Sequence, residues 1–273
     1  MVYFYNWLKL IRLVNLIIII LTMIIGAMYL YYAVEYQVVK FIAIILATIL
    51  LTIAGNLDNS LQDIEADKLN NKLNPLLLSY HIRRICRGLI ISSLIIGLIL
   101  SVFISIDFAI FYLINASLLW AYNRWLKGII ILGNVVVSYL TASVLLSFAI
   151  VGFDYNNHAL PNYLLLAFNI NLCREFIKCC EDKLGDSAVG IKTIAHILST
   201  KKIYLICLVS ILLNIVFIAL NIWSISTNYW ILCIPLLIAL PFNLKDSYLA
   251  NYSNQLKLSM VLGILSIILC IPH

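Results

Sequence analysis

The sequence predicts an all-α fold, a polytopic membrane bundle of nine transmembrane helices with its N-terminus in the cytoplasm. Three observations predict it. Of 273 residues, 64% are hydrophobic and 11% charged, where a soluble domain carries roughly 25% charged residues. Apolar runs recur along the chain, and about 20 such residues suffice to cross a bilayer as a helix. The lysines and arginines fall almost entirely in alternate connections. Helices are required because an unpaired backbone group in lipid is too costly, and the apolar blocks lack the alternation of barrel strands.

Nine apolar runs can be placed, at residues 13–32, 38–54, 88–104, 108–121, 129–153, 162–179, 203–223, 230–244 and 258–271. The first lacks a small-residue cleavage site and is expected to be a true span. The third and fourth are parted only by Ser105, Ile106 and Asp107. Pro235 and Pro241 are expected to kink the eighth. With these boundaries, every lysine and arginine of the 18 except Lys40 falls on one side of the membrane. The positive-inside rule makes that side cytoplasmic and the C-terminus external. The same bias accounts for the net charge of +6, so no nucleic acid partner is called for. One transmembrane domain covers residues 1–273. The seven cysteines form no CxxC pair and sit mostly in apolar runs as small packing residues. The four histidines have no ligand spacing, so zinc and haem lack support.

The acids are distributed in a way a membrane bundle does not need. Of twelve, eight lie in two segments: Asp58, Asp63, Glu65 and Asp67 after the second span, and Glu175, Glu181, Asp182 and Asp186 near the end of the sixth. Asn59, Asp63 and Asp67 are spaced four apart, as are Asp182 and Asp186. On a helix that spacing stacks oxygen ligands on one face, where like charges repel. A bound cation compensates, and Mg2+ fits because it takes oxygen ligands, keeps waters and bridges carboxylates to phosphates. Interleaved lysines and arginines would hold phosphate oxygens that the metal does not reach. Glu175 and Glu181 lie off the metal face and are expected to pair with Lys178 or Lys183.

These motifs resemble those of the UbiA superfamily of intramembrane prenyltransferases, whose members carry NDxxDxxxD after helix two and DxxxD after helix six. Arg12-Leu-Val-Asn15 resembles the start of the family's first helix, and Gly133-Asn134 followed by Val135, Val136 and Val137 its fifth. The stretch from Arg174, Glu175 and Lys178 through Gly185, Asp186, Ala188, Gly190, Lys192 and Thr193 is similar to the branch making archaeal-type ether lipids. The chain departs from the family pattern at Ser60, Asn74 and Cys179, where aspartate, arginine and aspartate are usual.

The resemblance implies Mg2+-dependent ionisation of a prenyl diphosphate, geranylgeranyl diphosphate in this branch, at the cytoplasmic face of the cell membrane. Asn59, Asp63, Asp67, Asp182 and Asp186 would hold the metal. Lys127, Lys178 and Lys192, with Lys72 and Arg124, would bind the diphosphate. Arg12 and Asn15 would face the acceptor, and Tyr122 and Tyr139 would steady a carbocation through their ring faces. The prenyl tail would lie between helices among the membrane lipids. The implied acceptor is a lipid, geranylgeranylglyceryl phosphate, and the alternative is an aromatic acid such as a hydroxybenzoate or naphthoate. A membrane transporter is the rival of another class, since intramembrane charges mark transport pathways. Here the spans are nearly free of charge, and Asn134, Asn169, Asn171 and Asn214 are expected to serve helix–helix hydrogen bonds.

Overall fold

The computed structural model describes residues 7–8, 10–31, 38–69, 80–151, 160–188, 190–225, 231–241 and 248–269. Lys72 and Asn74 lie outside them. Among the described residues the chain is helical and has no strand. Long helices run over Leu13–Tyr31 (α1), Val38–Gln62 (α2), Tyr80–Ile104 (α4), Ile106–Arg124 (α5), Leu132–Ile150 (α6), Leu160–Glu181 (α7), Thr200–Ile225 (α10) and Leu249–Leu269 (α12). Short helices at Ile64–Leu69 (α3), Lys183–Ala188 (α8), Ile194–Ile197 (α9) and Cys233–Ile238 (α11) sit at their ends.

Four helical stretches, α2, α4, α6 and Thr200–Leu220 of α10, are long and apolar enough to cross a membrane, and Leu13–Gly26 is a shorter apolar helix. They differ in burial. In α6, 61% of the most apolar stretch is buried inside the bundle, against 22% in α4. Thus α6 is a central element, whereas α4 turns Ile91, Ile95 and Ile99 outward. Outer apolar faces of this size suit lipid rather than water. The chain is an integral membrane protein.

The core gathers Met23, Phe108, Phe148, Ile170, Ile177 and Tyr204, all at most 1% exposed. Around it α2 packs along α4, α6 along α7, and α7 against α12, with α1 touching α2, α6 and α12. Gly55 lets α2 and α5 approach closely, because a Cβ there would strike Leu119. The break between the third and fourth runs falls at Ser105, whose Oγ caps α5 by accepting from the Phe108 N–H at 3.1 Å. The eighth run contains a helix of six residues, α11, with Pro241 three residues beyond its end. Side chains of α12 satisfy carbonyls near it: Tyr252 donates to Ala239 at 2.9 Å and Gln255 to Leu240 at 2.7 Å.

The chain does something unusual at both aspartate motifs. Helix α2 stops at Gln62, bends at Asp63 and resumes as α3; helix α7 stops at Glu181, bends at Asp182 and resumes as α8. Backbone bonds of helical spacing bridge both bends, from Asp63 to Asn59 at 2.9 Å and from Asp182 to Lys178 at 2.9 Å. The short helices α3 and α8 pack against each other. Two motifs 119 residues apart in sequence are thereby brought face to face.

Candidate active site

A cavity of about 990 Å³ opens between α1, α2, α5, α6 and α7, and both motifs line it. On one wall stand Asn59, Asp63 and Asp67, with Asp182 and Asp186 completing the acidic part. Lys127, on the connection between α5 and α6, sets its Nζ 2.5 Å from Asp63 Oδ1. The Asn59 amide donates to the other oxygen of the same carboxylate at 2.8 Å. Burial alone would lower the Lys127 pKa, but the carboxylate of Asp63, with Asp186 and Asp182 behind it, raises it above the ordinary lysine value. A lysine so raised keeps its charge, and this contact, until the pH climbs past that raised value.

The opposite character appears on α7. Glu175, 5% exposed, pairs with Arg174 at 3.1 Å and with Lys178 at 3.6 Å. Arg12, at the foot of α1, lines the cavity too and adopts a left-handed backbone with φ 54°. That conformation is costly for a residue with a Cβ. It is held by Asn56, which donates to the preceding carbonyl of Ile11 at 3.0 Å. Tyr122, near the end of α5, lines the cavity as well, where the charges of Glu175 and Asp63 both reach it.

A protein-family model described as the UbiA prenyltransferase family matches residues 19–267. The chain belongs to the UbiA prenyltransferase family. Among curated relatives, a digeranylgeranylglyceryl phosphate synthase of Korarchaeum cryptofilum is 30% identical over 78% of this chain and 79% of its own. A protein of the same name from Methanopyrus kandleri is 34% identical over 51% of each chain. A solved structure of digeranylgeranylglyceryl phosphate synthase in membranes is 26% identical, covers 98% of both chains and superimposes with a TM-score of 0.74. The fold is also that of a UbiA homologue from Archaeoglobus fulgidus bound to GPP and Mg2+, at 15% identity and a TM-score of 0.66 over 96% of this chain and 99% of that one.

In this UbiA-family chain the structure gathers most of the residues that the sequence nominates. Asn15 and Tyr122 line the cavity together with Arg12, Lys127, Lys178 and the motif oxygens. Three nominated residues are placed elsewhere. Arg124 clamps Asp58 at 2.9 Å. Lys192 is exposed on the loop before α9. Tyr139 is not among the lining side chains, which α6 supplies through Asn134, Val137 and Thr141. Lys72 lies outside the described residues. Glu175 pairs with Lys178 as expected, and Asn169 makes the expected interhelical bond, donating to Ser210 at 2.9 Å. Asn171 departs from expectation: it lines the cavity, and its amide nitrogen is buried without a partner among the described residues.

Other cavity residues carried no signal in the sequence. Asn115 is an unremarked asparagine inside an apolar run, and Lys257 counts there only as a cytoplasmic lysine. Asp58 belongs to the first acidic segment, yet its partners Asn123 and Arg124 come from the far end of α5. Their convergence is a product of tertiary packing, and local spacing does not encode it.

The donor set fits a hard divalent cation. Its members are carboxylate and amide oxygens, the chemistry that selects magnesium over softer metals. Among the described residues no three histidine, cysteine or acidic side chains converge on a single point that would hold an ion unaided.

Proposed function

We propose that this enzyme transfers a geranylgeranyl group from geranylgeranyl diphosphate to the hydroxyl of geranylgeranylglyceryl phosphate, a step of ether-lipid synthesis. The observation that carries the reading is the single cavity in which two aspartate motifs face a cation-rich wall of α7. The names of the relatives support the same chemistry. Asn59, Asp63, Asp67, Asp182 and Asp186 would hold Mg2+ together with diphosphate oxygens. Bound there, magnesium supplies Lewis-acid stabilisation of the departing diphosphate. Lys127 and Lys178 offer charge-assisted hydrogen bonds to oxygens left free. Tyr122, which lines the same cavity, would stand beside the carbon from which the diphosphate leaves. Apolar lining from Phe111, Leu119, Val137, Leu140 and Val144 receives the tail and excludes water from the allylic cation.

The same reading sets the enzyme in the membrane with nine spans, the N-terminus and the motifs at the cytoplasmic face. Reporter fusions at Lys192 should register cytoplasm and one at Ser105 the opposite side; a cytoplasmic signal at Ser105 refutes that topology. The activity is tested with purified enzyme, radiolabelled geranylgeranyl diphosphate and a panel of acceptors. Labelled product is expected with geranylgeranylglyceryl phosphate, dependent on magnesium. Prenylation of hydroxybenzoate with none of the phospholipid precursor would overturn the assignment.

A further inference from the structure

The cavity is bipolar, and the metal accounts for its acidic part only. Along α7, Arg174 lies two helical turns before Asp182, roughly 12 Å along the axis, a separation longer than a diphosphate. Around Glu175 the charges of Lys178, Arg174 and Arg12 all reach the one carboxylate. Lys257 of α12 lines the same region, close enough for Arg174 and Lys178 to repel it and for Glu181 to offset part of that repulsion. Four cations from three parts of the chain therefore line one cavity, three of them acting on Glu175 and the fourth, Lys257, within reach of Arg174 and Lys178. Withdrawing that much like charge from bulk water is costly unless an anion compensates it.

The polar groups beside them are also incomplete. Arg174 Nε and Asn171 Nδ2 are buried and have no hydrogen-bond partner among the described residues. Asn171, 2% exposed, is one turn from Arg174 on the cavity side of α7. Buried donors of this kind are normally satisfied, so a pair facing one cavity marks a place where a ligand supplies acceptors. Both orphans donate, and their neighbours are cations. The complementary group is an anion rich in oxygen.

We infer that Arg174 and Lys257, with Arg12 and the Asn171 amide, form a subsite for the phosphate of the acceptor lipid, apart from the magnesium-bound diphosphate. This rests on the reading above that the acceptor carries a phosphate. Glu175 is a positioning residue that keeps Arg174 and Lys178 apart and oriented while the subsite is empty. Tyr122, reached by the charges of both walls, then stands where the acceptor hydroxyl meets the allylic carbon. The arrangement separates two phosphate-bearing substrates by giving one a metal and the other arginine and lysine.

The test uses the purified full-length enzyme and two acceptors, geranylgeranylglyceryl phosphate and the same lipid alcohol without its phosphate. Lys257→Met keeps the length of the side chain and removes the charge. It should raise KM for the phosphorylated acceptor about tenfold, the scale of one charge-assisted hydrogen bond. KM for the prenyl diphosphate and for the phosphate-free acceptor should stay within about twofold, and Lys257→Arg should restore the phosphorylated acceptor. A measurement that needs no variant runs beside it: glycerol phosphate should inhibit the wild type competitively against the acceptor and not against the diphosphate. Equal rises for both acceptors, a rise confined to the diphosphate, or glycerol phosphate competing with the diphosphate would each overturn the subsite. Wild-type enzyme that ignores the phosphorylated lipid and prenylates an aromatic acid removes the acceptor reading and the subsite together. Wild-type activity on the phosphorylated lipid with an unmoved KM in Lys257→Met removes the subsite alone.

Discussion

At Asp63 in one half of the bundle and at Asp182 in the other, a long helix stops, the chain bends, and a six-residue helix carries the next aspartate four positions on. The scaffolds match, and their dressing does not. Four residues before the bend, the first motif has Asn59 and the second Lys178. Asn59 turns toward its own aspartate and donates to Asp63, while Lys178 turns back along α7 to Glu175. Lys127 joins the first motif from outside and occupies the remaining Asp63 oxygen. The first half is thus organised around a carboxylate, the second around a boundary between carboxylates and cations. One backbone device, used twice, can serve a metal on one side and an anion on the other because side chains four residues apart share a face whatever their charge.

The strongest way to break this comparison is to remove the bend aspartates. Asp63→Ala and Asp182→Ala should each cost several kcal/mol of transition-state stabilisation, on the order of a hundredfold or more in magnesium-dependent turnover. Asp107→Ala, an exposed acid in the first turn of α5, is the control and should match wild type. Near-normal turnover of Asp182→Ala at saturating magnesium would show that the second motif is not a metal ligand. Asp63→Ala should also lower stability by about 1 kcal/mol, since its carboxylate ties Lys127 and Asn59 together. A thermal melt of the detergent-solubilised protein measures that part.

Next in size is Lys127→Met, which separates two roles of one side chain. As a diphosphate contact, Lys127 should be worth about tenfold in turnover when removed. As the group resting on Asp63, it would compete for that oxygen with a magnesium ion held there as proposed. The variant should therefore turn over more slowly and yet reach half-maximal rate at lower magnesium. A titration of rate against magnesium reads both; a higher magnesium requirement in the variant would mean that Lys127 helps to build the metal site.

Much of this was legible beforehand, and the limits have physical causes. The helical class follows from apolar runs that have no other stable form in lipid. The two aspartate motifs follow from a four-residue period that needs no tertiary information. Asp58 shows where such reading stops: its partners Asn123 and Arg124 come from another helix, and the residues between hold no pattern that links them. Asn115 and Asn171 fail for a similar reason, because an asparagine in an apolar run looks the same whether it faces a neighbouring helix or a cavity. Lys192 shows the reverse. Its motif neighbours point to the site, but Gly190 turns the chain through φ +77° and leaves the lysine exposed. Breaking the Asp58 clamp with Asp58→Asn should cost about 1 kcal/mol in stability, since Arg124 is 31% exposed and partly screened.

The smallest effects sharpen the comparison most finely, because both motifs depart from the family pattern at one register. Ser60 and Cys179 each stand three residues before a bend aspartate, where the family carries an acid. Both line the cavity, so an aspartate at either position would add a ligand oxygen and a negative charge to the same space. Their surroundings differ. Cys179 accepts a weak hydrogen bond from Asn134 at 3.2 Å and feels the charges of both Glu175 and Asp186. Ser60 sits one residue from Asn59, in the half whose carboxylate Lys127 already neutralises. Cys179→Asp should consequently destabilise the protein by about 1 kcal/mol more than Ser60→Asp, the scale of a like-charge contact at about 4 Å when water screens it, with Lys178 offsetting part of the repulsion. Ser60→Asp should lower the magnesium requirement by no more than a few-fold and leave turnover close to wild type. Paired thermal melts and magnesium titrations of the two variants decide it. Equal melting temperatures would mean that the two halves are electrostatically alike, and the division of labour between a metal side and an anion side would fall.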